Sequence, residues 1–300
     1  MIDRILVVGA GAMGSQISLV CALAGHRVTL YDIDADRLTA AHGDIAELVA
    51  GRVHKGRISA GEGEATLSRI EVTSELDAAR TVDYVVEAAV EQLDVKRELF
   101  ARLDALVPEH AILASNSSGF VPSQLAEATQ RQDRVCNLHF FNPAMVMTCV
   151  EVVRGPQTSD ATIDVTVALA ERIGKTPVVL DREIPGFVAN RILGAVRDEA
   201  ISLLEGDFAS VEAIDTACRT ALGYPMGPFE LMDLTGIDIG YFTKRARFAE
   251  SGDPADAPSR SVTALVERGE LGRKSGLGWY AYTADGTKTP RPRPQEPTWT

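Results

Sequence analysis

In the stretch NLHFFNPAMVMTCVEVV (137–153), His139 and Glu151 interrupt an otherwise largely apolar run. Together they have the chemistry of a general base. A carboxylate that accepts a hydrogen bond from one imidazole nitrogen fixes the tautomer and leaves the second nitrogen free to take a proton. It also stabilises the imidazolium that results. Asn142-Pro143 begins a turn, so 134–141 and 148–153 can pair as antiparallel neighbours across it. Both residues are equidistant from residue 145, and a symmetric hairpin sets them opposite each other on one face. On these residues alone a satisfied ion pair in the core remains the plain alternative.

Two further polar groups stand where a substrate could meet them. The cluster SNSSG (115–119) terminates the strand-like AILASN, and in an open parallel sheet the carboxyl ends of strands face the ligand crevice. Hydroxyls there can reach a substrate oxygen, or simply cap a helix. Asn190 follows Pro185-Gly186 in the first turn of a long helical stripe, where its amide can face a crevice or solvent.

A cofactor signal opens the chain. VVGAGAMGSQIS (7–18) carries Gly9, Gly11 and Gly14 between a strand and a helix that Ala12 and Met13 begin. Gly9 permits the tight turn, Gly11 lets backbone approach a pyrophosphate, and Gly14 lets helix and strand pack closely. The second strand ends in Asp32, at the distance expected for a carboxylate that binds ribose hydroxyls. That acid repels a 2′-phosphate and no arginine follows it directly, so the expected cofactor is NAD rather than NADP.

The elements that must hold these residues alternate. Strand-like runs RILVV, RVTLYD, IEVT, VDYVVEA, AILASN, RVCNLHF, CVEVV and PVVL are separated for the most part by helical patterns, with Asp94 placed to cap one of them. This pattern predicts an α/β, doubly wound (Rossmann-like) domain over 1–184. Beyond Pro185 the periodicity is helical, with Ser210 as a cap, which predicts a smaller all-helical domain over 185–283. A proline-rich tail is expected over 284–300.

Composition narrows the function classes. A net charge of −12 argues against nucleic acid or an anionic membrane as partner. Cysteines 21, 136, 149 and 218 lack metal-ligand spacing, so no metal is expected, and a reducing cytoplasm fits them best. No apolar run is long enough for a membrane span. The densest basic stretch of the first half is GRVHKGR (51–57), which includes Lys55 and Arg57.

Taken in order, GAGAMG, Asp32, VVEAAVEQLDVKRELF (85–100), SNSSG, HFFNP (139–143), VEVV (150–153), PGFVANRIL (185–193), GYPMGPFELMD (223–233) and LGRKSGLGWY (271–280) resemble the NAD-dependent L-3-hydroxyacyl-CoA dehydrogenase family, especially its short bacterial 3-hydroxybutyryl-CoA dehydrogenases. The similarity spans about residues 3–282. It implies that His139 takes the proton of a 3-hydroxyl, that Glu151 holds and polarises it, and that Ser118 and Asn190 meet the substrate. It implies that Glu91, Lys96 and Asn142 lie on the cofactor side of the cleft, that Lys55 and Arg57 belong to the segment that binds an acyl-CoA thioester, and that a homodimer forms through the helical domain. Departures fall at Gly119, Met145, Thr148 and Cys149, which keep two alternatives open: a dehydrogenase of a free hydroxy acid or carrier-bound hydroxyacyl group, and a catalytically silent cofactor-binding relative.

Overall fold

The computed structural model describes residues 2–291. The runs marked as strands form β1 (Arg4–Val8), β2 (Arg27–Tyr31), β3 (Ile70–Thr73), β4 (Tyr84–Glu87), β5 (Ile112–Ser115), β6 (Val135–Phe140), β7 (Cys149–Arg154) and β8 (Thr176–Leu180). They make one eight-stranded sheet in the order β3-β2-β1-β4-β5-β6-β7-β8. Every neighbouring pair is parallel except β6 with β7. The order reverses between β1 and β4, which creates the switch point where doubly wound sheets bind ligands.

Helices α1 (Ala12–Leu23), α2 (Ala35–His54), α3 (Ala60–Leu67), α4 (Leu93–Leu106), α5 (Pro122–Ala126) and α6 (Asp160–Arg172) complete this unit. Because side chains of a strand alternate, β1 serves two cores at once: Ile5 and Val7 join one cluster and Leu6 and Val8 the other. Both faces are covered, and so the strand reads as an unbroken apolar run. One expectation is corrected here. Asp94 is not the cap of α4; Gln92 occupies that boundary without a side-chain bond, and Asp94 lies in the first turn. A carboxylate there still opposes the helix dipole favourably.

The chain divides into two compact units, with Ala189 the last residue of the first. The second contains α7 (Ala189–Glu205) from its second residue on, α8 (Val211–Thr220), α9 (Pro228–Thr235), α10 (Ile237–Ser251) and α11 (Arg260–Glu267). Ser210 caps α8 by accepting from the Ala213 amide. Two carboxylates with no exposed surface, Asp215 and Asp233, organise this unit. Asp215 takes the Phe229 and Glu230 amides and the Tyr280 hydroxyl, and Asp233 takes the Trp279 and Tyr280 amides and the Tyr282 hydroxyl. Burial drives the Asp215 carboxyl up, and the donors around it offset only part of that rise.

After the helices the chain forms a small antiparallel pair, β9 (Ala281–Tyr282) with β10 (Lys288–Thr289). Arg291 Nη1 donates to the Gly278 carbonyl at 2.6 Å and to Glu270 Oε2 at 2.8 Å. Ordered contacts therefore reach into the stretch expected to be tail, because alternating prolines bar only helix and central strand, not an edge pair. The remainder of that expected tail, from residue 292, lies outside the described residues.

Candidate active site

The β6–β7 ladder pairs His139 directly with Glu151, the register that symmetry about residue 145 predicts. The two residues are 5% and 1% exposed, and His139 Nδ1 lies 2.8 Å from Glu151 Oε2. An ionised carboxylate only accepts, so Nδ1 carries the hydrogen and Nε2 is the nitrogen with a free lone pair. Glu151 Oε1 accepts from the Val188 and Ala189 amides at 3.0 and 2.8 Å. Burial pushes this carboxyl up, but the bonds from His139, Ala189 and Val188 outweigh it and hold Glu151 below the ordinary carboxylate range. A carboxyl so depressed contributes stability that is complete above its unfolded pKa and is lost as pH falls through the folded value.

Aromatic rings close around the imidazole. Phe141 and Phe187 meet it edge-on, with centroids 4.7 and 5.4 Å away. Phe187 is fully buried and adopts φ +50°, a left-handed conformation that costs a non-glycine residue free energy. Nothing in PGFVANRIL announces that conformation, and sequence reasoning passed over Phe187. The rings leave the base in an apolar setting from which bulk water is largely excluded.

The serine loop follows β5. Ser115 Oγ donates to Glu87 Oε2 at 2.6 Å, and Ser117 Oγ donates to Glu91 Oε1 at 2.5 Å. Ser118, next after Ser117 in sequence, is exposed and makes no hydrogen bond among the described residues, so its hydroxyl is available to a ligand. At Gly119 an added Cβ would lie 3.4 Å from Glu91 Oε1, and the Gly119 amide donates to that same oxygen at 3.1 Å. A small side chain would therefore fit at this departure in ordinary contact with the carboxylate. Burial raises the Glu91 carboxyl, yet Ser117, Lys96 and Gly119 together bring it below its ordinary value.

Lys96 sits elsewhere than a ligand-facing lysine would. It is 1% exposed, with Nζ 2.6 Å from Glu87 Oε1 and 3.2 Å from Glu91 Oε2. Its charge supports Glu91 from beneath. Sequence reasoning missed Glu87, a carboxylate with no exposed surface at the end of β4; its signal was an acid closing an otherwise apolar strand, YVVE.

The turn after β1 fits a dinucleotide. Gly9 has φ +106°, and a Cβ there would lie 2.5 Å from the Ala88 carbonyl oxygen, while one on Gly14 would lie 1.8 Å from that of Gly9. Gly11 faces open space, and no side chain caps α1, so the amides of its first turn, starting at Ala12 and Met13, remain for an anion. Asp32 accepts from the Ala10 amide at 2.8 Å through Oδ2 and from the Asp34 amide at 3.0 Å through Oδ1. The acid thus ties the glycine turn to the end of β2 and keeps lone pairs for hydroxyl donors.

The other expected residues are more dispersed. Asn142 is exposed beyond the end of β6. Asn190 is half-buried in the first turn of α7 and belongs to the second unit. Lys55 is the C-cap of α2, and both it and Arg57 are exposed. No group of three or more metal-ligating side chains occurs among the described residues. No helix among them is long and apolar enough to cross a membrane.

Comparison with known proteins places the chain in a family. Residues 4–184 match the family model described as "3-hydroxyacyl-CoA dehydrogenase, NAD binding domain", and residues 186–282 match "3-hydroxyacyl-CoA dehydrogenase, C-terminal domain". The chain is 42% identical to the human mitochondrial hydroxyacyl-coenzyme A dehydrogenase over 94% of its own length and 92% of the relative's. It is 38% identical to a probable 3-hydroxybutyryl-CoA dehydrogenase of Bacillus subtilis, over 94% and 98%. The crystal structure of (S)-3-hydroxybutyryl-CoA dehydrogenase PaaH1 from Ralstonia eutropha superposes with a TM-score of 0.88 at 35% identity, covering 94% of this chain and all of that one. An NAD-binding sheet, a buried histidine–glutamate pair on its strands β6 and β7 and two consecutive family-model matches lead to one assignment: this chain is an oxidoreductase that belongs to the 3-hydroxyacyl-CoA dehydrogenase family.

Proposed function

We propose that the protein interconverts an (S)-3-hydroxyacyl-CoA and the corresponding 3-oxoacyl-CoA, with His139 as general base. The observation that carries this reading is the His139–Glu151 pair, buried at 2.8 Å with one imidazole nitrogen left free. When bound, NAD supplies the acceptor for the hydride that leaves C3. His139 Nε2 takes the proton of the 3-hydroxyl and returns it in the reverse direction. Glu151 stabilises the imidazolium that forms, Ser118 donates to the reacting oxygen, and Asn190 seats the substrate. Glu91 and Asn142 face the cofactor, with Lys96 behind Glu91.

A spectrophotometric assay of NADH oxidation tests the reading. Acetoacetyl-CoA or a longer 3-oxoacyl-CoA should be reduced, whereas free 3-oxo acids should be poor substrates. Preference for the free acids would reject the proposal in favour of a hydroxy-acid dehydrogenase.

The CoA handle makes a separate prediction. CoA is polyanionic and the chain carries −12, so attraction must be local, and Lys55 with Arg57 supplies exposed cations at the end of α2. Lys55→Glu should raise KM for a CoA thioester about three- to tenfold, the scale of an exposed charge pair reversed rather than removed. KM for a thioester lacking the nucleotide should hold, as should NADH affinity. Equal losses for both thioesters would show that the CoA phosphates bind elsewhere.

The proposed assembly is a homodimer made through the helical unit. Support comes from apolar side chains left in solvent there: Phe208 is 79% exposed, Leu222 64%, Ile239 57% and Phe242 55%. Sedimentation of a monomer at micromolar concentration would reject this. A reducing cytoplasm is the proposed compartment, supported by four free cysteines of which Cys21 and Cys136 are buried thiols.

A further inference from the structure

Asn137 lies two residues before His139 on β6, opposite Ser115 of β5, and has no exposed surface. Its Nδ2 donates to the Ser117 carbonyl at 3.2 Å and to the Phe120 carbonyl at 3.0 Å. Both partners are carbonyl oxygens, so the amide must present its nitrogen, and its orientation follows from chemistry. The opposite end, Oδ1, is buried without a hydrogen-bond partner among the described residues. A half-satisfied buried amide is a costly choice for a strand that an apolar residue would fill.

That cost falls on the loop that carries Ser118. Asn137 grips the carbonyls on either side of the 118–119 segment. Glu91 holds the same segment from another direction, through Ser117 Oγ and the Gly119 amide. Asn116 Oδ1 accepts from the Phe140 amide at 2.8 Å, which ties the loop to the residue after His139. Within this brace Ser118 alone keeps an unengaged hydroxyl.

We propose that Asn137 is a positioning residue for Ser118. Its two hydrogen bonds fix the backbone on both sides of Ser118, so that the hydroxyl is held in the orientation needed by the reacting oxygen of the substrate instead of sampling it. Gain from such preorganisation appears in kcat, because a misplaced donor still permits binding. The proposal rests on the reading of Ser118 as a hydroxyl that meets the substrate oxygen, and the test separates the two.

The experiment is a double-mutant cycle read in steady-state kcat with acetoacetyl-CoA and NADH. Ser118→Ala should lower kcat about tenfold, the scale of one net hydrogen bond that water can partly replace. Asn137→Ala, and Asn137→Leu as a volume-conserving second variant, should lower kcat about fivefold in the native background and less than about twofold when Ser118 is already alanine, since the asparagine then has nothing left to orient. KM for NADH should stay unchanged throughout. A residue that only stabilises the sheet would cost the same in both backgrounds, and that outcome overturns the proposal. Full turnover in Ser118→Ala would instead reject the serine reading, and the proposal with it. Should the alanine variant fail to fold, the leucine variant carries the same comparison.

Discussion

Replacing His139 by glutamine is expected to lower turnover by roughly 10² to 10⁴, the usual cost of losing a positioned base, with NADH affinity near native. Glutamine has a similar reach and can still donate to Glu151 Oε2, so the hairpin should survive, yet its amide has no proton-accepting nitrogen. Glu151→Gln should be comparably severe for a different reason. The Val188 and Ala189 amides require an oxygen at the Oε1 position, so the new NH2 group must turn toward His139 Nδ1. That nitrogen then accepts, the hydrogen moves to Nε2, and the base faces the substrate in the wrong tautomer. Rates of NADH oxidation beside a fluorescence titration of NADH separate chemistry from cofactor binding. Turnover within about threefold of native in either variant would remove the base assignment.

That pair was legible in the sequence because a hairpin register is local. Two residues equidistant from a turn must meet if the strands are regular, and β6 and β7 are. The strands were legible for a related reason, since β-branched runs separated by helical periods leave few alternatives to a parallel sheet. The serine brace was not legible. It exists only where residues 87–96, 115–120 and 137–140 converge, and no spacing within one segment encodes that convergence. Asn137 shows the difference: its place two residues before His139 put it on the same strand face, but which carbonyls it would reach depended on a loop from another strand. Phe187 was hidden in the same way, because a positive φ outside glycine is forced by surroundings and not by local preference. Lys96 is intermediate. The spacing of Lys96, Phe100 and Leu103 marks an inward helical face, so a lysine there demands an acid inside.

The acid is Glu87, and the pair makes the second large prediction. Glu87 accepts from Lys96 Nζ at 2.6 Å, the Ala89 amide at 2.8 Å and Ser115 Oγ at 2.6 Å, with neither charged side chain more than 1% exposed. Lys96→Met keeps the helix face filled but leaves a buried carboxylate without its cation, and should cost about 3–5 kcal/mol in urea unfolding. Glu91 loses its neighbouring charge in the same step, so the hold on Ser117 should loosen and kcat should fall further than the stability loss alone accounts for. Adding Glu87→Gln to Lys96→Met should recover most of the stability. The amide oxygen of glutamine can still accept from the Ala89 amide while its NH2 donates to Ser115 Oγ, and the uncompensated charge is gone. Recovery of stability without recovery of kcat would locate the role of Lys96 at Glu91 as well as at Glu87. A single-variant loss below about 1 kcal/mol would mean that this ion pair behaves as a solvated surface pair, which its burial contradicts.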